Sequence, residues 1–463
     1  MVDPHAAALQ TAERLLAGGD WPAAETTLRT IISSDLSNED VAKAWCNVML
    51  RYGDVREGQQ LLKKIIQAGV QHPLIPFCLA LGYQTDGNFD EARCILNDLR
   101  RAYPDWHRVT HLLVRILCLE GKHNEAIETV DPLIASGDPL VICAFGLAAP
   151  SVGRAAEAID RLSALCDRRD IPLGIRCEAG LLQARLLDAK GKYDDALEAA
   201  IGTHALSPSH YHPNAVARLI EGRLRDSSAE RIAANITAGG NTKRPIFILG
   251  MPRSGTSLTE AILGEHSQIA PLGECRVIER FVPLDLTDMA VVNNTSGQIL
   301  AAYRGLDATH RLVTDKQLGN FLHLDAIASL LPQAHVIWCR RDRRDVAISC
   351  FFQQFQTGAP WAGNIKHILH YEQVYSRLMR HWQQVLALPI LQLEYERLVA
   401  EPREQVSRVL NFLGLPWEEQ CLQFDESSRT TLTASNQQVK KKIYHSSIDR
   451  WKRYPGLFDE SEN

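Results

Sequence analysis

A glycine-containing turn between an apolar segment and an amphipathic segment is the part of this sequence best suited to hold a ligand. The run Pro245–Gly250 has the composition of a buried parallel strand, and a helical pattern begins at Thr256, directly after the turn. In a strand–turn–helix unit, free backbone N–H groups and the helix dipole point at one spot. The sequence therefore predicts that a phosphate-like anion binds at residues 251–257.

The identity of that anion follows from what the turn contains and what it lacks. Gly250 and Gly255 have the spacing of a Walker A loop, but Thr256 stands where the lysine is required, and no Walker B acid is evident. These departures argue against ATP or GTP hydrolysis. The turn resembles instead the 5′-phosphosulfate loop of sulfotransferases that use 3′-phosphoadenosine 5′-phosphosulfate (PAPS). The resemblance implies that this cofactor binds, without a metal, at Pro252, Arg253, Ser254, Gly255, Thr256 and Ser257.

A second apolar run, residues 335–339, ends in the sequence Arg-Arg-Asp-Arg-Arg-Asp. In the sulfotransferase family, the arginine of an Arg-Asp pair after this strand and a serine eight residues later bind the 3′-phosphate. Arg341 and Ser349 have that spacing. A guanidinium fork suits a dianionic phosphate, and a hydroxyl completes its shell. The alternative is a solvated basic turn between a strand and a helix.

A candidate catalytic base lies in the short segment Leu-Gly-Glu-Cys-Arg. This segment resembles the Gly-Glu-x-x-Arg segment of protein-tyrosine sulfotransferases, although the gap before the arginine is one residue shorter here. The resemblance implies that Glu274 removes a proton from the acceptor and that Arg276 contacts the substrate. The alternative is that Glu274 is a structural carboxylate paired with Arg276.

A candidate catalytic lysine lies in the sequence TDKQLGNF. This sequence is similar to an Asp-Lys-x-Pro-x-Asn-Phe pattern of bacterial and plant sulfotransferases that carry tetratricopeptide repeats, with Leu318 in place of the proline. The resemblance implies that Lys316 stabilises negative charge on the bridging and leaving oxygens. The alternative is that Lys316 forms a salt bridge with Asp315 or lies at the surface.

Three segments near the C-terminus complete the resemblance, which covers about residues 244–454. The sequence LEYERLV is similar to the Tyr-Glu-x-Leu-Val signature of the family, and TASNQQV and IYHSSIDRW resemble its C-terminal cofactor-covering segment. The resemblance implies cofactor contacts for Tyr395 and Arg450 and a catalytic role for Ser435. Asp449 stands where a glycine is usual, which leaves the conformation of that loop open.

The first half of the chain is periodic. Glycine-anchored turns recur at 34-residue intervals over the first four copies, then at intervals of 32 and 38 residues, and they begin at Gly19, Gly53, Gly87, Gly121, Gly153 and Gly191. A small residue follows each turn at a fixed offset in most copies. This pattern resembles tetratricopeptide repeats, each a helix–turn–helix, which stack into a superhelix with a concave groove. The resemblance implies a groove for a peptide or protein partner; the alternative is that the repeats only brace the second half.

Composition narrows the class of protein further. The chain has 463 residues, of which 45% are hydrophobic and 23% are charged, as in ordinary globular proteins. The N-terminal sequence does not resemble a signal peptide, and no apolar run reaches the ~18 residues of a membrane span. The eleven cysteines have no paired spacing, which is typical of reduced thiols and predicts a cytoplasmic protein. Neither a nucleic-acid site nor a metal site is predicted.

The predicted architecture is an α-helical solenoid followed by a P-loop-type α/β domain with a parallel sheet. Strands and helices alternate along the second half, which places ligands at the carboxyl ends of the strands. The predicted domains are a tetratricopeptide repeat domain at residues 1–226, a linker at 227–243 and a PAPS-dependent sulfotransferase domain at 244–463.

The predicted activity is transfer of a sulfuryl group from PAPS to an acceptor hydroxyl. A peptide tyrosine, a sugar hydroxyl and a small metabolite all fit the sequence as acceptors. Two alternatives remain at this stage. The first is a kinase-like phosphotransferase on the same fold, which would need Mg²⁺ and a Walker lysine. The second is a non-enzymatic repeat scaffold with a decayed sulfotransferase domain.

Overall fold

The protein is described by a computed structural model in which two compact units can be distinguished. The first holds Met1–Ser207, and the second holds Pro208–Phe355 and Ala359–Asn463. Among the described residues, no helix combines the length and the apolar character needed to cross a membrane. The structure describes residues 4–18, 21–34, 36–51, 55–208, 210–235, 237–238, 244–355, 359–425 and 447–458.

The first unit consists of helices in which neighbours along the chain pack against each other, as the repeat pattern predicts. Its helices are α1 (Pro4–Gly18), α2 (Trp21–Ser34), α3 (Glu39–Arg51), α4 (Val55–Gln67), α5 (Leu74–Thr85), α6 (Phe89–Ala102), α7 (His107–Glu120), α8 (His123–Val130), α9 (Pro139–Ala148), α10 (Ala155–Cys166), α11 (Leu173–Ala189) and α12 (Tyr193–Leu206). The helical repeat architecture is thereby confirmed.

The periodic residues of the first unit have a structural reason for their spacing. Gly87, Gly121, Gly153 and Gly191 all have φ between 76° and 80°, a backbone conformation that costs residues with a Cβ about 1–2 kcal/mol. The small residues that follow at a fixed offset are fully buried: Ala92, Ala126, Ala158 and Ala196. A larger side chain there would force the helices of a repeat apart. The predicted turns at Gly19 and Gly53 lie outside the described residues.

The second unit contains a five-stranded sheet in which every neighbouring pair of strands is parallel, and the strand order is β2-β3-β1-β4-β5. Its strands are β1 (Pro245–Gly250), β2 (Ile269–Pro271), β3 (Leu312–Asp315), β4 (His335–Arg340) and β5 (Ile390–Glu394). The predicted α/β fold with a parallel sheet is confirmed. Because all five strands point the same way, the segments that follow them meet at one edge of the sheet.

Helices precede, connect and follow the strands of this sheet. They are α13 (Pro213–Asp226), α14 (Ala229–Ala234), α15 (Thr256–Gly264), α16 (Met289–Leu306), α17 (Leu324–Leu330), α18 (Arg343–Phe351), α19 (Ile365–Val385), α20 (Tyr395–Ala400) and α21 (Pro402–Leu413). Strand β2 and helices α16 and α19 have no counterpart among the elements predicted from sequence. With only three residues, β2 is too short to show a periodicity.

Helix α13 packs inside the second unit, where it contacts α19. The Arg223 guanidinium donates to the backbone oxygen of Leu322 at 2.5 Å and to Asp325 Oδ1 at 2.6 Å. Ser227 Oγ donates to the other oxygen of Asp325 at 3.1 Å. A chain that begins after residue 207 would therefore keep the contacts of α13, whereas one that begins after residue 226 would lose them.

Candidate functional site

The turn after β1 has the close-packed geometry of an anion-binding loop. Gly255 has φ of 99° and precedes α15, and a Cβ on it would lie 2.7 Å from the Tyr395 ring. A Cβ on Gly250 would lie 2.4 Å from Ser254 Oγ and 2.7 Å from the backbone oxygen of Cys339. Only glycine fits at either position. Ser254 Oγ is buried and has no hydrogen-bond partner among the described residues, which suits a hydroxyl that donates to a ligand oxygen.

Arg253 ties this loop to helix α18. Its φ of 71° is uncommon for a residue with a side chain, and such strain is often found at functional sites. Arg253 Nε donates to Ser349 Oγ at 2.9 Å, and Cys350 Sγ lies 3.5 Å from the backbone oxygen of Pro252. Ser349, which was predicted from sequence to bind a 3′-phosphate, therefore lies beside the loop that follows β1.

Arg341 reaches the same loop from the end of β4. One of its terminal nitrogens donates to the backbone oxygen of Arg253 at 3.0 Å, and the other donates to the backbone oxygen of Ser447. The guanidinium lies 4.7 Å from the centroid of the Tyr395 ring. Arg341 Nε is buried and has no hydrogen-bond partner among the described residues. The side chain thus brings a buried positive charge with an unused donor to the edge of the anion loop.

Asp345 holds the C-terminal segment against α18. Its two carboxylate oxygens accept hydrogen bonds from the backbone N–H groups of Asp449 at 2.9 Å and Trp451 at 3.0 Å. Burial raises the pKa of Asp345, and these hydrogen bonds and Arg341 offset part of that rise. Asp449 has φ of 60°, and aspartate tolerates this left-handed conformation better than most residues. The requirement for a left-handed residue explains why glycine is usual at this position.

The remaining predicted cofactor residues, Tyr395 and Arg450, lie near these groups. The hydroxyl of Tyr395 lies 2.7 Å from Ser447 Oγ. The Arg450 guanidinium lies 5.2 Å from the centroid of the Phe352 ring. Ser435, the third predicted catalytic residue, lies outside the described residues.

Lys316 and Glu274 meet at the ends of β3 and β2. Lys316 is 1% exposed, and its Nζ donates to Glu274 Oε1 at 3.0 Å, whereas the Glu274 side chain is 51% exposed. Burial alone would lower the pKa of Lys316, but Glu274 and Glu260 raise it above its usual value. Lys316 is therefore held as a buried ammonium beside a carboxylate that solvent can reach. This pairing places a candidate charge-stabilising ammonium beside a candidate base.

Asp315 and Arg276 have partners other than Lys316 and Glu274. Asp315 is fully buried and accepts hydrogen bonds from Tyr303 Oη at 2.6 Å and from the backbone N–H of Gln317 at 2.9 Å. Burial raises the pKa of Asp315 to about 7. Arg276 Nε lies 3.7 Å from Glu279. The carboxylate paired with Lys316 is thus Glu274, and Glu279 is a carboxylate beside Arg276 Nε.

Sequence motifs did not single out Glu260 or Asp345. Each of these carboxylates accepts hydrogen bonds from segments that form the site. Glu260 is 3% exposed and accepts a hydrogen bond from Thr314 Oγ1 at 2.7 Å. One signal could have drawn attention to it, because Glu260 is the only charged residue in the sequence of α15, TSLTEAILG. A lone carboxylate among mostly apolar residues is buried only when it has partners.

Comparison with known proteins relates the second unit to one family. A family model described as "Sulfotransferase family" matches residues 245–419, so this part of the chain is similar to that family. An "Uncharacterized protein" of Aquifex aeolicus (strain VF5) is 30% identical over 392 residues, which are 79% of this chain and 51% of that protein. The chain thus spans about half the length of that relative.

Two further relatives match the second half of the chain. A "Putative protein-tyrosine sulfotransferase" of Caenorhabditis briggsae is 26% identical over 46% of this chain and 81% of its own length. "Protein-tyrosine sulfotransferase A" of Caenorhabditis elegans is 24% identical over 46% of this chain and 62% of its own length. The solved sulfotransferase domain of the Synechococcus PCC 7002 olefin synthase is 21% identical and covers 47% of this chain and 90% of its own, but its TM-score of 0.37 is too low to add weight.

Proposed function

We propose that this protein transfers a sulfuryl group from PAPS to the hydroxyl of an acceptor. The observation that carries the proposal is the buried Lys316 ammonium, 3.0 Å from the half-exposed Glu274 carboxylate, at the sheet edge where the anion loop lies. A kinase-like phosphotransferase would need a lysine inside the loop itself, and Thr256 occupies that position. The sulfotransferase family match of residues 245–419 supports the same choice.

The residues of the anion loop fit the cofactor. The buried Ser254 hydroxyl, which has no partner within the described part of the chain, and the cradle at Gly255 suit the 5′-phosphosulfate. Thr256 and Ser257 add hydroxyls at the N-terminus of α15. Arg341 and Ser349 would hold the 3′-phosphate, with Tyr395 and Arg450 beside them. When bound, PAPS supplies the sulfuryl group, and 3′,5′-bisphosphoadenosine is the other product.

Glu274 would act as the base and Lys316 as the charge-stabilising donor. The Glu274 carboxylate takes the proton of the acceptor hydroxyl, whose oxygen forms the new bond to sulfur while the bond from sulfur to the phosphate oxygen breaks. Once Glu274 has taken this proton it is neutral, and it then holds the Lys316 ammonium less strongly. The freed ammonium can then donate to the oxygens on which negative charge builds.

We infer further that the acceptor is a tyrosine in a peptide or protein. The names of the Caenorhabditis relatives support this class of acceptor. A helical repeat unit also offers the long surface that suits an extended peptide. The eleven cysteines are all free thiols, which supports a reducing compartment such as the cytoplasm.

A transfer assay with radiolabelled PAPS tests the function. The purified chain is incubated, in the presence of a chelator, with a tyrosine peptide and with the same peptide carrying phenylalanine in place of tyrosine. We expect label only on the tyrosine peptide. Label on a sugar or a small phenol but not on the peptide would retain sulfuryl transfer and change the acceptor. No transfer to any hydroxyl would overturn the proposed activity.

A further inference from the structure

The buried carboxylate of Glu260 joins three parts of the candidate site. Glu260 lies on α15, the helix that begins at the anion loop. Its Oε1 accepts hydrogen bonds from Thr314 Oγ1 at 2.7 Å and from the backbone N–H of Gly273 at 3.0 Å. Its Oε2 lies 3.9 Å from Lys316 Nζ. One side chain therefore contacts the end of β3, the loop after β2 and the buried lysine.

The loop that carries Glu274 depends on these contacts. Gly273 has φ of 71°, and its backbone oxygen accepts a hydrogen bond from the Lys316 backbone N–H at 2.8 Å. Its own N–H donates to Glu260, so both polar groups of the Gly273 backbone are used. Since Glu274 directly follows, the position of its carboxylate is fixed by Glu260 on one side and by β3 on the other.

Lys316 needs a second negative charge if Glu274 is to work as a base. In the structure its ammonium donates to Glu274 Oε1, and Glu274 loses its negative charge once it takes a proton. A buried ammonium without a nearby carboxylate is strongly unfavourable and tends to lose its proton. Glu260 is the other carboxylate within 4 Å of Lys316 Nζ among the described residues, and it is 3% exposed.

We propose that Glu260 is a positioning residue that keeps Lys316 charged and the Glu274 loop in place while Lys316 exchanges Glu274 for the reacting oxygens. This inference rests on the proposed function. Glu260 itself touches neither the acceptor nor the cofactor in this account. Its effect passes through Lys316 Nζ and through the backbone of Gly273.

The groups that face Lys316 determine how its titration should change. Glu274 and Cys275 face it from the loop after β2, Glu260 from α15, and Cys339 from β4. Both glutamates raise the pKa of Lys316, while burial lowers it. Replacing Glu260 by glutamine removes one of the two stabilising charges and leaves the burial, so the pKa of Lys316 should fall. The basic limb of the pH–rate profile, where Lys316 loses its proton, should then move to lower pH.

Three variants of the full-length chain separate charge from packing. Glu260→Gln removes the charge, Glu260→Asp keeps it, and Thr314→Val removes one hydrogen-bond donor to Glu260 while leaving the charge. For Glu260→Gln we expect turnover to fall about 10²-fold, as for a reacting group displaced by about 1 Å, with unchanged affinity for 3′,5′-bisphosphoadenosine. The basic limb should shift only in this variant, and Glu260→Asp should restore it.

A second readout does not depend on turnover. Lysine carbon-13 NMR of the ligand-free protein reports the titration of Lys316, whose signal is assigned by its loss in Lys316→Arg. We expect the Lys316 titration to move to lower pH in Glu260→Gln but not in Thr314→Val. If Glu260→Gln does not fold, Glu260→Asp carries the test, since it should keep the Lys316 titration while turnover falls with the displaced Glu274 loop.

The outcomes distinguish this inference from the proposed function. A wild-type protein that binds no bisphosphoadenosine and transfers no sulfuryl group overturns the function. An active wild-type protein whose Glu260→Gln variant keeps both its rate and its Lys316 titration overturns the role of Glu260 alone.

Discussion

The two units of this protein differ in how far apart in sequence their cooperating residues lie. In the repeat unit, residues that belong together lie within one 34-residue period, as with the turn at Gly121 and the buried Ala126. In the second unit, the candidate site joins residues far apart in sequence, such as Arg253 and Ser349 or Glu260 and Lys316. Local periodicity suffices to build a solenoid, whereas the site exists only once a parallel sheet has brought its loops to one edge.

The largest effect should come from the candidate base. Glu274→Gln removes the proton acceptor but keeps the size of the side chain, so turnover should fall about 10²–10⁴-fold. Affinity for 3′,5′-bisphosphoadenosine, measured by calorimetry, should change little. Glu279→Gln is a matched control, because Glu279 lies beside Arg276 and does not pair with Lys316 in the structure. Equal rates for wild type and Glu274→Gln across neutral pH would rule out the role of Glu274.

Two truncated chains test whether α13 stabilises the second unit. A chain starting at residue 208 keeps α13, whereas one starting at residue 227 leaves the partly buried carboxylate of Asp325 without Arg223. The shorter chain should lose at least about 1–3 kcal/mol of unfolding free energy relative to the longer one. Urea denaturation of both fragments measures this difference, and equal stability would show that α13 adds nothing to the second unit.

The same fragment starting at residue 208 tests what the repeats do. If the repeat groove holds the acceptor, the KM for a tyrosine peptide should rise steeply while the KM for PAPS stays unchanged. An unchanged peptide KM would leave the repeats as a brace or as an interface for another partner.

Turn glycines of the repeats should matter less, and only for stability. Gly191 has φ of 77°, and no heavy atom of the described residues lies within 4 Å of where its Cβ would be. Gly191→Ala should therefore cost only the conformational penalty, about 1–2 kcal/mol, and should leave kinetics unchanged. Gly255→Ala adds a clash 2.7 Å from the Tyr395 ring and should also weaken cofactor binding. Thermal melting and calorimetry on both variants separate the two effects.

A separate, pH-dependent effect on stability concerns Asp315, whose buried carboxyl has a pKa of about 7 in the folded protein. An unfolded aspartate has a pKa of about 3.9, so between these values the folded chain holds a proton that the unfolded chain has released. The contribution of Asp315 to the free energy of unfolding is therefore fully present below about pH 4. It is lost as the pH rises through about 7. Relative to Asp315→Asn, the wild type should become less stable from pH 4 to pH 8 in urea titrations. A difference that grows in favour of the wild type would contradict this.

The sequence predicted the elements with a strong local pattern and missed those defined by distant partners. The repeats, β1 and the turn at Gly255 follow from periodicity and from glycine spacing. Strand β2 is too short to carry a pattern, and α19 was not predicted although it packs against α13 and α18. The supporting roles of Glu260 and Asp345 were also missed, because each carboxylate is explained only by partners from other segments, such as Thr314 and the backbone of Trp451.

The proposed function depends most directly on whether the loop after β1 and Arg341 form a PAPS site. Calorimetry without metal, on wild type, Arg341→Ala and Arg340→Ala, tests this with 3′,5′-bisphosphoadenosine, adenosine 5′-phosphosulfate and ATP. Arg340 is the matched control because it is exposed and bonds Gln392 instead of the loop. We predict that the bisphosphate binds without metal and more tightly than ATP. Arg341→Ala should lose about 1.5–3 kcal/mol with that ligand alone, and Arg340→Ala should behave as wild type. An equal loss with adenosine 5′-phosphosulfate, which has no 3′-phosphate, or tighter binding of ATP, would contradict the account.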